Sequence, residues 1–199
     1  MSRTRVRLAA TGAAVVLAVT GLSGAAAADT TVTTTPPTGQ AVITSDLTFL
    51  QSAVTNGIVI VPLPPATPAY ADTTGLTTTL PVSGGVANIP AFNGDIQFGG
   101  DLLFVNIATG KTVIFKQLDL VINKGKFFAV PDGATAPVAL LDPAGRVSVG
   151  RNGTAQTLDT TGLKVDAAAA QYLDTNLGTT FFTAGQSIGS LAVTYTPGS

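Results

Sequence analysis

The chain has 199 residues, more than one average domain and fewer than two, with no His, no Cys and no Trp, and every one of its 11 acidic residues is Asp. Those absences exclude Ser-His-Asp and Cys-His catalysis, thiolate or imidazole metal sites, and acid-base chemistry by Glu. The net charge of −1 and the lack of any basic stripe argue against a nucleic-acid partner.

Arg3, Arg5 and Arg7 precede an uncharged apolar stretch from Leu8 to Leu22, and Ala26-Ala27-Ala28 supplies small residues before Asp29. This is the layout of a secretory signal peptide, residues 1–28, with cleavage expected after Ala28. The apolar run is Gly- and Ala-rich and shorter than the ~20 strongly apolar residues a bilayer span needs, so no transmembrane segment is expected after cleavage. Residues 29–199 carry seven Lys and Arg against 11 Asp, a net of −4. Residues 29–39 are Thr- and Pro-rich and cannot offset the cost of ordering by burial, so a flexible leader is predicted there.

From residue 40 to 199 a single β-rich domain is predicted, because short apolar runs alternate with Gly, Pro, Asn and Asp. Two segments break that rhythm. Ser45 is placed to cap a helix with Leu47, Leu50 and Val54 on its apolar face, ended by Asn56-Gly57. Asp166 is placed to cap a second, with Ala170, Leu173 and Leu177 on one face and Gly178 at its end. Strands are predicted at Val42 to Thr44, Ile58 to Val61, Leu76 to Leu80, Ile96 to Phe98, Leu102 to Ile107, Thr112 to Phe115, Leu118 to Ile122 and Lys126 to Val130. Further strands are predicted at Val138 to Leu141, Arg146 to Val149 beyond a turn at Asp142-Pro143-Ala144-Gly145, Leu163 to Val165, Phe181-Phe182 and Leu191 to Tyr195. Hairpins join the central ones through Ala108-Thr109-Gly110-Lys111 and Asn123-Lys124-Gly125. The fold class is all-β, mainly antiparallel, a β-sandwich or barrel-like domain with two short α-helices.

Several motifs invite chemistry. Asp-Thr-Thr-Gly-Leu occurs at Asp72 to Leu76 and at Asp159 to Leu163, but an extra Thr separates it from the Asp-Thr-Gly of acid proteases, so each copy reads as a turn entering a strand. Asp95 and Asp101 head a repeated Gly-Asp-apolar-x-Phe pattern without the Asp-x-Asp-x-Asp loop of a calcium site. Asn152-Gly153-Thr154 matches a glycosylation pattern yet reads as an Asn-Gly turn. Lys111, Lys116 and Lys164 read as solvated cations, and Tyr70, Tyr172 and Tyr195 as partly buried rings. No catalytic, ligand-binding or metal-ligating residue is assigned.

The order of Val42 to Gly57, Val59-Ile60-Val61-Pro62-Leu63-Pro64-Pro65-Ala66, Leu80 to Gly85, Gly94 to Gly100, the central hairpins, Ala167 to Leu177 and Gly185 to Val193 resembles secreted actinobacterial domains related to the HtaA-type haem-binding module. The resemblance spans about residues 42 to 195 and implies a β-rich exported fold with two short helices. It does not bring haem binding with it, since haem-binding members use a Tyr ligand supported by His, this chain has no His, and Phe98 stands before Gly99-Gly100 where relatives can place one.

The expected function is that of an exported, non-enzymatic structural or interaction protein of the bacterial surface or extracellular space. Its partners would be copies of itself or cell-wall components, since few charges guard its strand edges. The alternative is binding of haem or another small apolar ligand in a sheet-lined pocket. No cofactor is expected, apart from haem under that alternative.

Overall fold

The structure is a computed structural model and describes residues 34–199, so the predicted signal peptide and the first part of the leader, residues 29–33, lie outside the described residues. Eleven strands and two helices succeed one another: β1 Thr38–Ser45, α1 Leu47–Thr55, β2 Ile58–Leu63, β3 Thr67–Ala71, β4 Gly75–Asn88, β5 Asn93–Phe98, β6 Asp101–Asn106, β7 Lys111–Val121, β8 Lys126–Pro131, β9 Val138–Asn152, β10 Ala155–Val165, α2 Ala167–Leu177 and β11 Ser187–Thr196. Every strand pairing is antiparallel. The order β7-β5-β4-β1-β11-β10-β9-β8 closes on itself through a β7–β8 pairing. The architecture is therefore a closed barrel of eight strands, and the alternative of two packed sheets does not hold. β6 extends from the first half of β7, β2 from β6, and β3 lies beside β4.

Strand alternation fills the barrel. In β7, Val113, Phe115, Leu118 and Leu120 are buried, and in β8 so are Phe127 and Ala129. The two-residue period of β7 is broken once, at Gln117, whose φ of 52° lies in the left-handed region. Three steps along β7, from Lys116 to Asp119, oppose two along β8, from Val130 to Phe128. This bulge fuses the two strands predicted at Thr112 to Phe115 and Leu118 to Ile122 into one bent strand. Likewise Asp142-Pro143-Ala144-Gly145 makes no turn: β9 runs through it, with three steps from Ala144 to Val147 facing two on β10 from Gly162 to Thr160. Gly145 takes the left-handed φ of 75° that the bulge requires.

Other expectations are corrected. Thr38 and Gly39, predicted as leader, already belong to β1, and Thr35 exchanges backbone hydrogen bonds with Ser199 at 2.7 and 3.1 Å. The segment Phe181-Phe182 is an irregular connection whose rings are buried among aromatics, and Leu163 to Val165 is the end of β10. Asp46 rather than Ser45 caps α1, its Oδ1 accepting from the Phe49 N–H at 2.7 Å, while Ser45 closes β1. With the cap one residue later, α1 buries Phe49 and Ala53, leaves Leu50 half-buried and exposes Val54. α2 forms as predicted: Asp166 accepts from the Ala168 N–H at 2.7 Å, Ala170, Leu173 and Leu177 are buried, and Gly178 ends it in the left-handed conformation.

Candidate functional site

Among the hollows bounded by the described residues, one has an almost wholly apolar lining and another a polar and charged one. The first lies between barrel strands and the elements packed against them, where Ile43 of β1, Leu140 of β9, Val165 of β10 and Ile188 of β11 meet Ile60 of β2, Phe104 of β6, Phe49 of α1, Leu173 of α2 and Phe182. Its volume is about 50 Å³, and Thr78 is its one polar lining residue. The end of the barrel above it is closed by a chain of aromatic rings. Phe49 meets Phe181 with ring centres 5.9 Å apart, Phe181 meets Phe182 at 4.9 Å, Phe182 meets Phe104 at 6.0 Å, and Phe104 meets Phe115 at 5.7 Å. Tilted and edge-on contacts of this kind add to simple burial. A space walled in this way offers water few hydrogen-bond partners.

The second hollow is a groove of about 710 Å³ on the outer face of β5, β7 and β8. Gln97, Asp119 and Phe128 stand side by side in one row across these three strands. Ser83, Asp101, Gln117, Lys124, Thr135 and Pro137 complete its rim. The Lys124 ammonium lies 5.1 Å above the Phe128 ring centre. Asp119 Oδ1 is buried and accepts no hydrogen bond. Burial, with Asp95 as a second negative charge and Lys124 as a weaker opposing one, pushes the Asp119 carboxyl up to about 6. The sequence showed Asp119 opposite Leu118 and Leu120 on its strand, but the lack of a donor results from long-range pairing and could not be read from the chain.

The residues singled out from sequence are scattered. Asp72 lies in the turn from β3 to β4, and Asp159 lies inside β10, not in a turn. β1 and β11 stand between β4 and β10, so the two copies of the motif are not brought together. Among the described residues no group of three or more carboxylates could hold a metal ion. Lys164 is exposed, and the partner of Asp166 is Lys126, which also bonds Asp142 at 2.7 Å. Lys116 pairs with Asp132 at 2.9 Å on the surface. Asn152 ends β9, and Gly153 and Thr154 form the turn to β10.

The tyrosines also stand apart from the interior hollow. Tyr70 is exposed on β3. Tyr172 on α2 packs its ring against Phe115 at 5.8 Å. Tyr195 is fully buried and bridges β11 to β4, its hydroxyl donating to the Gly85 carbonyl at 3.1 Å and accepting from the Ala87 N–H at 3.3 Å. Among the described residues no helix is long and apolar enough to cross a membrane.

No family model matches the chain, and no curated protein matches it. Solved structures do. The C-terminal domain of HtaA from Corynebacterium glutamicum is 12% identical, with 80% of this chain and 98% of that one covered and a TM-score of 0.54. Heme binding protein HtaB from the same organism is 11% identical, with 82% and 94% covered and a TM-score of 0.43. The expectation that the chain takes no cofactor is corrected by these matches, one of which is described as heme-binding. The HtaA-like fold expected from the order of the sequence is the fold of this chain, shared with the HtaA C-terminal domain at low sequence identity.

Proposed function

We propose that this is an exported, non-catalytic binding domain that takes a small apolar molecule into its interior apolar hollow. The observation that carries the reading is the interior hollow, walled by apolar side chains from six strands and both helices and capped by the Phe49-Phe181-Phe182 aromatic chain. Burial of an apolar guest there is favourable by about 25 cal/mol per Å² removed from water. The exported setting rests on the predicted signal peptide, residues 1–28.

Haem calls for a direct test of fit, since HtaB is described as a heme-binding protein. Thr78 is the one polar residue lining the hollow, and the three tyrosines lie elsewhere, so no side chain suited to ligate haem iron faces the space. A hollow of about 50 Å³ is also far smaller than the macrocycle. These residues do not fit a haem whose iron the protein ligates; they supply apolar enclosure only.

The reading is tested by recording methyl NMR spectra of residues 29–199 equilibrated with benzene and, separately, with haemin. Shifts at Ile43, Leu140, Leu173 and Ile188, suppressed in Leu173→Phe, are expected for the small arene. Haemin is expected to leave these methyls unshifted and to give no Tyr–iron charge-transfer band. Spectra unmoved by benzene overturn the reading.

A further inference from the structure

The outer groove poses a problem that the barrel interior does not. Asp119 Oδ1 has been taken out of water and accepts nothing in return, a costly arrangement for a charged group. The neighbours that could have relieved it are committed elsewhere. The Gln97 amide leans over Gly84, where its Oε1 lies 2.8 Å from the position a Cβ would occupy, and Lys124 rests on the Phe128 ring. Among the described residues Asp119 makes no salt bridge. The strand bulge that puts Gln117 at a positive φ lies two residues away and widens the β7–β8 pairing beside the groove. Backbone distortion of this kind is maintained only where the surroundings impose it, and bulges recur beside binding sites.

We propose that this groove binds an alkylammonium group, the ammonium pairing with the Asp119 carboxylate and the aliphatic stem lying along Phe128 and Val121. Three observations select this chemistry. The half-buried Asp119 carboxylate accepts no hydrogen bond from any described side chain and needs a donor. Asp95 and Asp101 add negative charge around it, against Lys124 alone, so a charged donor relieves a repulsion that a neutral hydroxyl would leave in place. The Phe128 ring already accepts a cation on its face, in the form of Lys124, and Val121, Val130 and Pro137 offer apolar wall for a stem. The volume, about 710 Å³, lies in the range of small-ligand sites.

Binding is expected to depend on pH through the groups that face the site: Asp119 on β7, Asp95 on β5, Asp101 at the start of β6, and Lys124 between β7 and β8. The Asp119 carboxyl, raised to about 6, loses its negative charge as the pH falls from 8 to 4.5.

The test is an NMR titration of residues 29–199 with n-butylamine, Nα-acetyl-lysine methylamide and a lysine-containing tetrapeptide, against n-butanol as the neutral isostere. At pH 8 the amines should shift Gln97, Asp119 and Phe128 at concentrations where butanol does not. Affinity should fall about tenfold or more at pH 4.5 and in Asp119→Asn, whose dispersed spectrum would show that it is folded. Tighter binding of the tetrapeptide than of butylamine would identify a peptide lysine as the source, and equal binding a free amine. Amines that cause no shift, butanol that binds equally well, or an Asp119→Asn variant that binds unchanged would each overturn the proposal. The interior hollow is untouched by Asp119→Asn, so its benzene response is independent of this outcome.

Discussion

Asp166 holds Lys126 with one carboxylate oxygen, at 2.5 Å, while the other accepts the Ala168 N–H that starts α2. Lys126 lies on β8 and also bonds Asp142 of β9 at 2.7 Å, so one ammonium joins two barrel strands to the helix that closes the barrel. Asp166→Ala should therefore lower stability by about 2 kcal/mol, combining a lost helix cap with a partly exposed ion pair. Urea unfolding checks this, and a loss below about 0.5 kcal/mol would mean that the cap alone can be replaced by water.

The same group sets an acid limit. Burial by itself would raise the Asp166 carboxyl, but the hydrogen bonds from Lys126 and Ala168 outweigh it and hold the group below the usual carboxylate range. A depressed carboxyl contributes stability that is present above its unfolded value, near 3.9, and is lost as pH falls through the folded one. Wild type and Asp166→Asn should differ at pH 6 and converge as the pH falls through the folded value, below the unfolded one, in thermal unfolding.

Asp119 works in the opposite sense. Its folded value, about 6, lies above the unfolded one, so the protonated form favours folding and stability is lost as pH rises through 6. Asp119→Asn should stabilise the protein at pH 8 by about 1 kcal/mol, after discounting for its partial exposure, and give no gain at pH 3. Paired denaturation curves at the two pH values decide it; an equal effect at both would show that packing rather than charge is responsible.

For the interior hollow, Val165→Leu adds one methylene to a lining position and should leave stability unchanged or raise it by up to about 1 kcal/mol, whereas Phe182→Ala should cost about 3–5 kcal/mol by breaking the aromatic chain. Val165→Leu should also weaken the benzene response. Destabilisation by Val165→Leu as large as that by Phe182→Ala would show that the space is not available to a guest.

Tyr195→Phe removes the hydroxyl that serves Gly85 and Ala87 and leaves both backbone groups without it inside the barrel. The expected cost is about 1–3 kcal/mol. Amide exchange at Ala87 is the local readout, and unchanged protection there would count against the bridge.

Most strands and both helices could be read from the chain because apolar runs and turn residues alternate there on short scales, whereas β3 and the order of the strands in the sheet could not. The double meaning of turn residues misled. Asp142-Pro143-Ala144-Gly145 and Lys116-Gln117 have the composition of chain reversals or breaks, but with a full-length partner beside them they become bulges in continuous strands. In α1 Ser45 and Asp46 are both competent caps, and the pairing of Ser45 with Gly189 on β11 and with Leu76 on β4 keeps Ser45 in the sheet and leaves the cap to Asp46. The candidate sites were less legible. The interior hollow depends on residues as distant as Ile43 and Ile188, and the solitude of Asp119 on Gln97 turning towards Gly84. Neither relation has a local signature.

The paired hydrogen bonds between Thr35 and Ser199 place the two ends of the described chain side by side. A short linker could thus join them without disturbing β1 or β11, and new ends could be cut at the exposed Gly153-Thr154 turn between β9 and β10. Such a circularly permuted chain would begin at β10 and end at β9, which makes the barrel a scaffold whose entry and exit points can be moved around its circumference.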